Sequence, residues 1–119
     1  MTRADDVETQ LARLRAILER ARRERRTMTY LQIADALELE PPKRIHRVAR
    51  LLERSMKRDV EADRPPLAAL AVSRARAGPL PAPGFFDRAR RLGLYAGDDP
   101  AVFHASLLDR LFSTPDPIE

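Results

Sequence analysis

The chain has 119 residues, enough for one domain with a modest core, and its apolar content of 44% is that of a globular protein and not of a disordered one. Charged residues make up 34% with a net charge of +4, and the pI is near 10.3. There is no cysteine, which excludes disulfides, thiolate nucleophiles and zinc–cysteine sites, and no apolar run reaches the length of a membrane span.

The charge is uneven. Basic residues cluster at 13–26, 43–58 and 74–91, and acidic ones near both ends and at 35–40. A basic middle favours a polyanionic partner. The opening stretch MTRADDVETQ has no apolar signal core, so the expected location is the cytoplasm.

In chain order, residues 7–26 read as an amphipathic helix, with Val7, Leu11, Leu14, Leu18 and Ala21 at 4-3-4-3 spacing. The row covers just over two heptads, enough for a homodimer seam through residues 7–26 if the core does not use it. Arg20, Arg22, Arg23, Arg25 and Arg26 follow. They either match the negative end of the helix dipole or form a second basic surface. Thr29 with Gln32 three residues later is a capping-box pattern, so a short helix is predicted over about 30–38. Its apolar edge is Ile33, Ala34 and Leu37. ELEPP stops it, because a residue before proline is driven out of helical angles.

The stretch PPKRIHRVARLLERSMKRD predicts the next helix, to about residue 60. At 100° per residue, Lys43, Arg47, Arg50, Arg54 and Lys57 share a stripe about 80° wide and about 21 Å long. Arg44 and His46 lie beside it, and Ile45, Val48, Leu52 and Met56 fall on the opposite, core-facing side. Two such helices joined by a tight turn make a helix-turn-helix, with the second as the nucleic-acid-binding helix. LAALAVS (67–73) reads as a strand, and RARAGPLPAPG as turn chemistry carrying Arg74 and Arg76. A short helix is expected from Phe85, with Phe85, Phe86, Ala89 and Leu92 inward and Gly93 as its stop. A last helix is capped by Asp99 and buries Val102, Phe103, Leu107, Leu111 and Phe112. The predicted fold is mainly α: a winged helix-turn-helix with a long N-terminal helix, an added C-terminal helix and one short strand or hairpin. It forms a single domain over 1–113, followed by a flexible tail at 114–119.

The series MTYLQIADALELEPPKRIHRVARLL…RPPLAALAVSRARAGPLPAPGFFDRARRLGLY, over roughly residues 27–95, resembles the DNA-binding domain of the alkylguanine-DNA alkyltransferases and the alkyltransferase-like proteins. The resemblance implies that Tyr30 touches the backbone of a target nucleotide and that His46, with Arg47 beside it, lies near the family's intercalating arginine. It also implies entry of the basic helix into the minor groove. Where the family has Pro-Cys-His-Arg or Pro-Trp-His-Arg, this chain has PPLAALAVS. With no thiol there can be no alkyl transfer.

Tyr30 is placed either to meet a phosphate at a helix N-terminus or to pack in the core. The two histidines, His46 and His104, lie on different predicted helices with no acidic residue at metal-ligand spacing. His46 is either a backbone or base contact or a plain surface residue. His104 reads as a half-buried helix residue. The serines have no histidine at a recognisable motif spacing, and Asp98–Asp99 sits where a helix cap is needed. No catalytic residue, cofactor or metal is therefore expected. The expected function is non-catalytic binding of double-stranded DNA, as a transcription regulator or a repair- or mobile-element accessory. The nucleic-acid-binding set is Tyr30, Lys43, Arg44, His46, Arg47, Arg50, Arg54, Lys57, Arg74 and Arg76. The rival is a protein-interaction or dimerisation module that binds an acidic partner.

Overall fold

The computed structural model describes residues 3–74 and 80–113. In that part the chain runs α1 (Arg3–Arg23), β1 (Met28–Thr29), α2 (Tyr30–Ala36), α3 (Arg44–Glu61), a turn of 3-10 helix (Leu67–Leu70), β2 (Ala71–Val72), α4 (Pro83–Arg91) and α5 (Pro100–Ser113). The described part is mainly helical, with one two-stranded sheet. β1 and β2 pair in parallel, Met28 opposite Ala71 and Thr29 opposite Val72. The expected strand at 67–73 is thus shorter than its apolar run. Leu67–Leu70 carries no β-branched residue and coils instead, with Ala69 N–H donating to Pro66 O at 3.1 Å. Ser73 N–H donates to Leu80 O at 2.8 Å. Arg76 and the predicted tail at 114–119 lie outside the described residues.

The core is built from one face of each helix. Leu11, Leu14, Leu18 and Ala21 of α1 are buried, so the apolar row that could have met a second copy is consumed inside the chain. α2 starts as its sequence requires: Thr29 accepts from Gln32 N–H, and Gln32 Oε1 accepts from Thr29 N–H at 2.9 Å. α3 buries Val48, Leu51, Leu52 and Met56. Ile45 is 43% exposed, contrary to the predicted inward row. It sits in the first turn, one turn before α3 reaches the core at Val48. In α5 the buried row is His104, Leu107 and Leu111, whereas Val102 is 64% exposed and Phe103 and Phe112 are half-buried. Phe103 still completes an aromatic cluster, stacked on Tyr95 at 4.2 Å between ring centres and within 6.4 Å of Phe85.

One buried carboxylate joins three elements. Asp59 of α3 is fully buried. Its Oδ1 accepts from Arg15 of α1 (2.8 Å) and from Arg64 (3.1 and 3.2 Å). Its Oδ2 accepts from Leu67 N–H at the start of the 3-10 turn (3.0 Å). Four helices also end alike. The residue after the last turn takes a left-handed backbone, and the next N–H reaches back five residues: Arg26 to Ala21, Leu39 to Ala34, Arg64 to Asp59 and Leu94 to Ala89. Only the last uses glycine, Gly93. The others place Arg25, Glu38 and Asp63 at φ of 56–59°.

Candidate nucleic-acid interface

With Val48, Leu52 and Met56 fixed inward, the opposite side of α3 is committed to solvent. His46, Arg50, Arg54 and Lys57 emerge there at 4-4-3 spacing, so they line up over about 17 Å of helix. All four are exposed, and none is in an ion pair among the described residues. They line a cleft of about 670 Å³ whose far wall includes Arg88 of α4. Glu53 and Glu61 also border it, so cations outnumber carboxylates along its length.

The remaining predicted contacts fare differently. Lys43 is not in the helix: it is the residue before it, with a left-handed backbone (φ 63°). Its side chain is exposed near the row's N-terminal end. Arg44 is half-buried and forms an ion pair with Asp35 of α2, linking the two helices. Arg47 is exposed but donates to Glu40 O at 3.0 Å, bracing the connection between α2 and α3. Arg74 is exposed beside the Ser73–Leu80 hydrogen bond, away from α3 in sequence and carried by a different element. Tyr30 is a correction to the phosphate placement. Its ring is 8% exposed, and its hydroxyl accepts from Ala82 N–H at 2.8 Å. It ties α2 to the segment entering α4, with the ring inside the fold. The cavity beside it, about 40 Å³ between Tyr30, Met56 and Phe85, has room for water but not for a nucleobase.

Sequence reasoning missed Arg58 and Arg88, which also face the cleft. Arg58 forms a two-bond pair with Glu8 of α1 (2.7 and 3.1 Å). That hydrogen-bonded guanidinium holds the Glu8 carboxyl below its usual range. Arg88 donates to Glu53 at 3.0 Å. Both arginines lie in regions of dense positive charge, a signal present in the sequence. Arg88, in the last turn of α4, could be explained there by the helix dipole alone. The dipole cannot explain Lys43, Arg44 and Arg47, which gather at the positive end of α3, where cations are disfavoured.

The arginines at the end of α1 do not form a comparable surface. Arg20 and Arg26 both pair with Glu24, and Arg22 is buried, paired with Glu19 and donating to Leu111 O of α5. His104 is buried, deeper than predicted, and donates from Nε2 to Ala69 O at 2.8 Å. Burial lowers its pKa below the ordinary histidine value, and the bond to Ala69 opposes that shift. Among the described residues no group of three His, Asp or Glu side chains could hold a metal ion, and no helix is long and apolar enough to cross a membrane. No family model matches the chain, and no curated protein or solved structure matches it either.

Proposed function

We propose that the protein binds double-stranded DNA without catalysing a reaction on it, and that α3 is the helix laid against the duplex. The observation that carries this reading is the row His46, Arg50, Arg54 and Lys57: exposed, in line, and not neutralised by any ion pair among the described residues. A merely solvated helix face balances its charges, whereas along this cleft the cations outnumber Glu53 and Glu61, and the row's own side chains are in no ion pair among the described residues. Phosphates supply the missing charge at a spacing a helix can follow.

The element order supports a winged-helix version of this arrangement. A helix, a short strand, two helices and a second strand follow in order, and Ser73 N–H just after that strand donates to Leu80 O. On this reading Lys43 and Arg47 contact the backbone at the start of α3, and Arg74 and Arg76 hold it from the wing. The alkyltransferase-like resemblance enters only as a shell for binding, because Tyr30 is spent inside the fold. A role in transcription regulation, or as a repair- or mobile-element accessory, fits a small non-catalytic binder of this kind.

The test is a fluorescence-anisotropy titration of a random-sequence duplex with the wild type and with the double variant R50E/R54E. Both side chains are exposed, so the variant keeps its helical circular dichroism. The expected result is loss of binding in the variant. In the wild type, four to five neutralised phosphates give a log–log salt slope of about −3.5 to −4.5. Equal affinity of the two proteins, or a slope near zero, would overturn the reading.

A further inference from the structure

The cleft along α3 has a second wall. Of the three arginines in the last turn of α4, Arg91 pairs with Asp87 on its own helix, and Arg90 lies over the Tyr95 ring, 4.3 Å from its centre. Arg88 alone is turned into the cleft, opposite the cations of α3. It is held there by one hydrogen bond to Glu53, which leaves most of the guanidinium's donors uncommitted. The two side chains are 33% and 36% exposed, so a ligand in the cleft can reach both.

Glu53 is the odd member of its row. It stands three residues after Arg50 and four before Lys57, on a surface where it and Glu61 are outnumbered by cations. Its other oxygen lies against the first turn of α4, 3.9 Å from where a side chain on Gly84 would begin. A carboxylate hydrogen-bonded to an arginine in a cationic cleft occupies the kind of position a phosphate takes.

Resting on the reading of α3 as a duplex-binding helix, we propose that Arg88 is a further phosphate contact of the same interface. Glu53 is its restraint: an internal anion that holds Arg88 in the free protein and hands it to a phosphodiester on binding. The exchange breaks one charge-assisted hydrogen bond and makes another. It leaves the Glu53 carboxylate close to bound phosphate, so Glu53 weakens the complex and keeps it reversible. The two walls would then grip one strand's backbone between α3 and α4.

The experiment is the same titration with R88Q, E53Q and E53Q/R88Q, with R50E/R54E alongside and a thermal melt of each protein to confirm folding. E53Q is expected to bind about threefold or more tighter than wild type. R88Q is expected to weaken binding severalfold and to lower the magnitude of the salt slope by about one. The deciding comparison is R88Q made on top of E53Q. If Arg88 contacts phosphate, its loss weakens binding even when Glu53 carries no charge. If Arg88 only shields Glu53, E53Q and E53Q/R88Q bind alike, and the proposal is overturned. Loss of binding in R50E/R54E with no effect of R88Q in either background removes Arg88 and leaves α3. Unchanged binding in R50E/R54E removes the α3 reading itself.

Discussion

Tyr30 shows how much a single hydroxyl decides. From sequence alone it could face a phosphate or the core, because the start of a helix offers both. The fold uses it inward, as acceptor for Ala82 N–H. Tyr30→Phe should therefore strand a backbone donor in a half-buried place and cost about 1–2 kcal/mol of stability, leaving DNA affinity per folded molecule unchanged. Urea unfolding and anisotropy on the one variant measure both, and a fall in affinity at unchanged stability would return Tyr30 to the surface role. His104 makes a different demand. Its folded pKa lies below its unfolded one, so the unfolded chain binds more protons in the interval between them. Stability is then complete above the unfolded value of about 6.5 and declines as pH falls below it toward the folded value. His104→Gln can keep a donor for Ala69 O but does not titrate. Its melting temperature should vary less than that of the wild type between about pH 7 and pH 5, as followed by circular dichroism.

At the scale of elements, what could be read in advance depended on how local the cause was. The α2 cap needed only Thr29 and Gln32, three residues apart, and both reciprocal bonds form. The stop at Gly93 was equally local. The identical stops at Arg25, Glu38 and Asp63 were invisible, because these residues do not announce a left-handed backbone and are held in it by the tertiary fold. The β1–β2 pairing joins segments more than forty residues apart with two residues each, too short for any alternation to register. The exposure of Ile45 escaped a helical wheel because the wheel treats every turn as equally close to the core. The left-handed stops yield a prediction. Glu38 has a strained backbone and a negative charge past the negative end of α2, while its partner Arg13 stands 3.6 Å away on an exposed surface and contributes little. Glu38→Gly should raise stability by about 1 kcal/mol and the melting temperature by about 4 °C. A lower melting temperature would mean that the backbone at Glu38 is not strained.

On the scale of the whole molecule, a few charges are spent on architecture and the rest face outward. Asp59 is the centre of the first group, binding α1 through Arg15, the end of its own helix through Arg64, and the 3-10 turn through Leu67 N–H. Asp59→Ala should cost about 3–5 kcal/mol, a large part of the stability of a domain this size. Arg15→Ala should cost much less, because Arg15 is one-third exposed and Arg64 remains. Chemical denaturation of the pair checks the ranking, and equal losses would argue against a shared carboxylate. The outward charges were legible as a stripe, but which of them were already engaged was not. Arg47 looked equivalent to Arg50 until the connection between α2 and α3 was in place.

The burial of Leu11, Leu14 and Leu18 sets how much information such a protein could extract from a genome. Many DNA readers double their vocabulary by pairing through a long helix, so that two copies read a palindrome. Here that helix is already inside its own core. A single α3 row of about 17 Å parallels about five base pairs. A word of that length recurs about once per thousand positions, far too often to mark a unique address among the millions of competing sites of a genome. A duplex binder built on this one helix would be spread widely along DNA, and its selectivity would have to come from the shape of the duplex or from a companion.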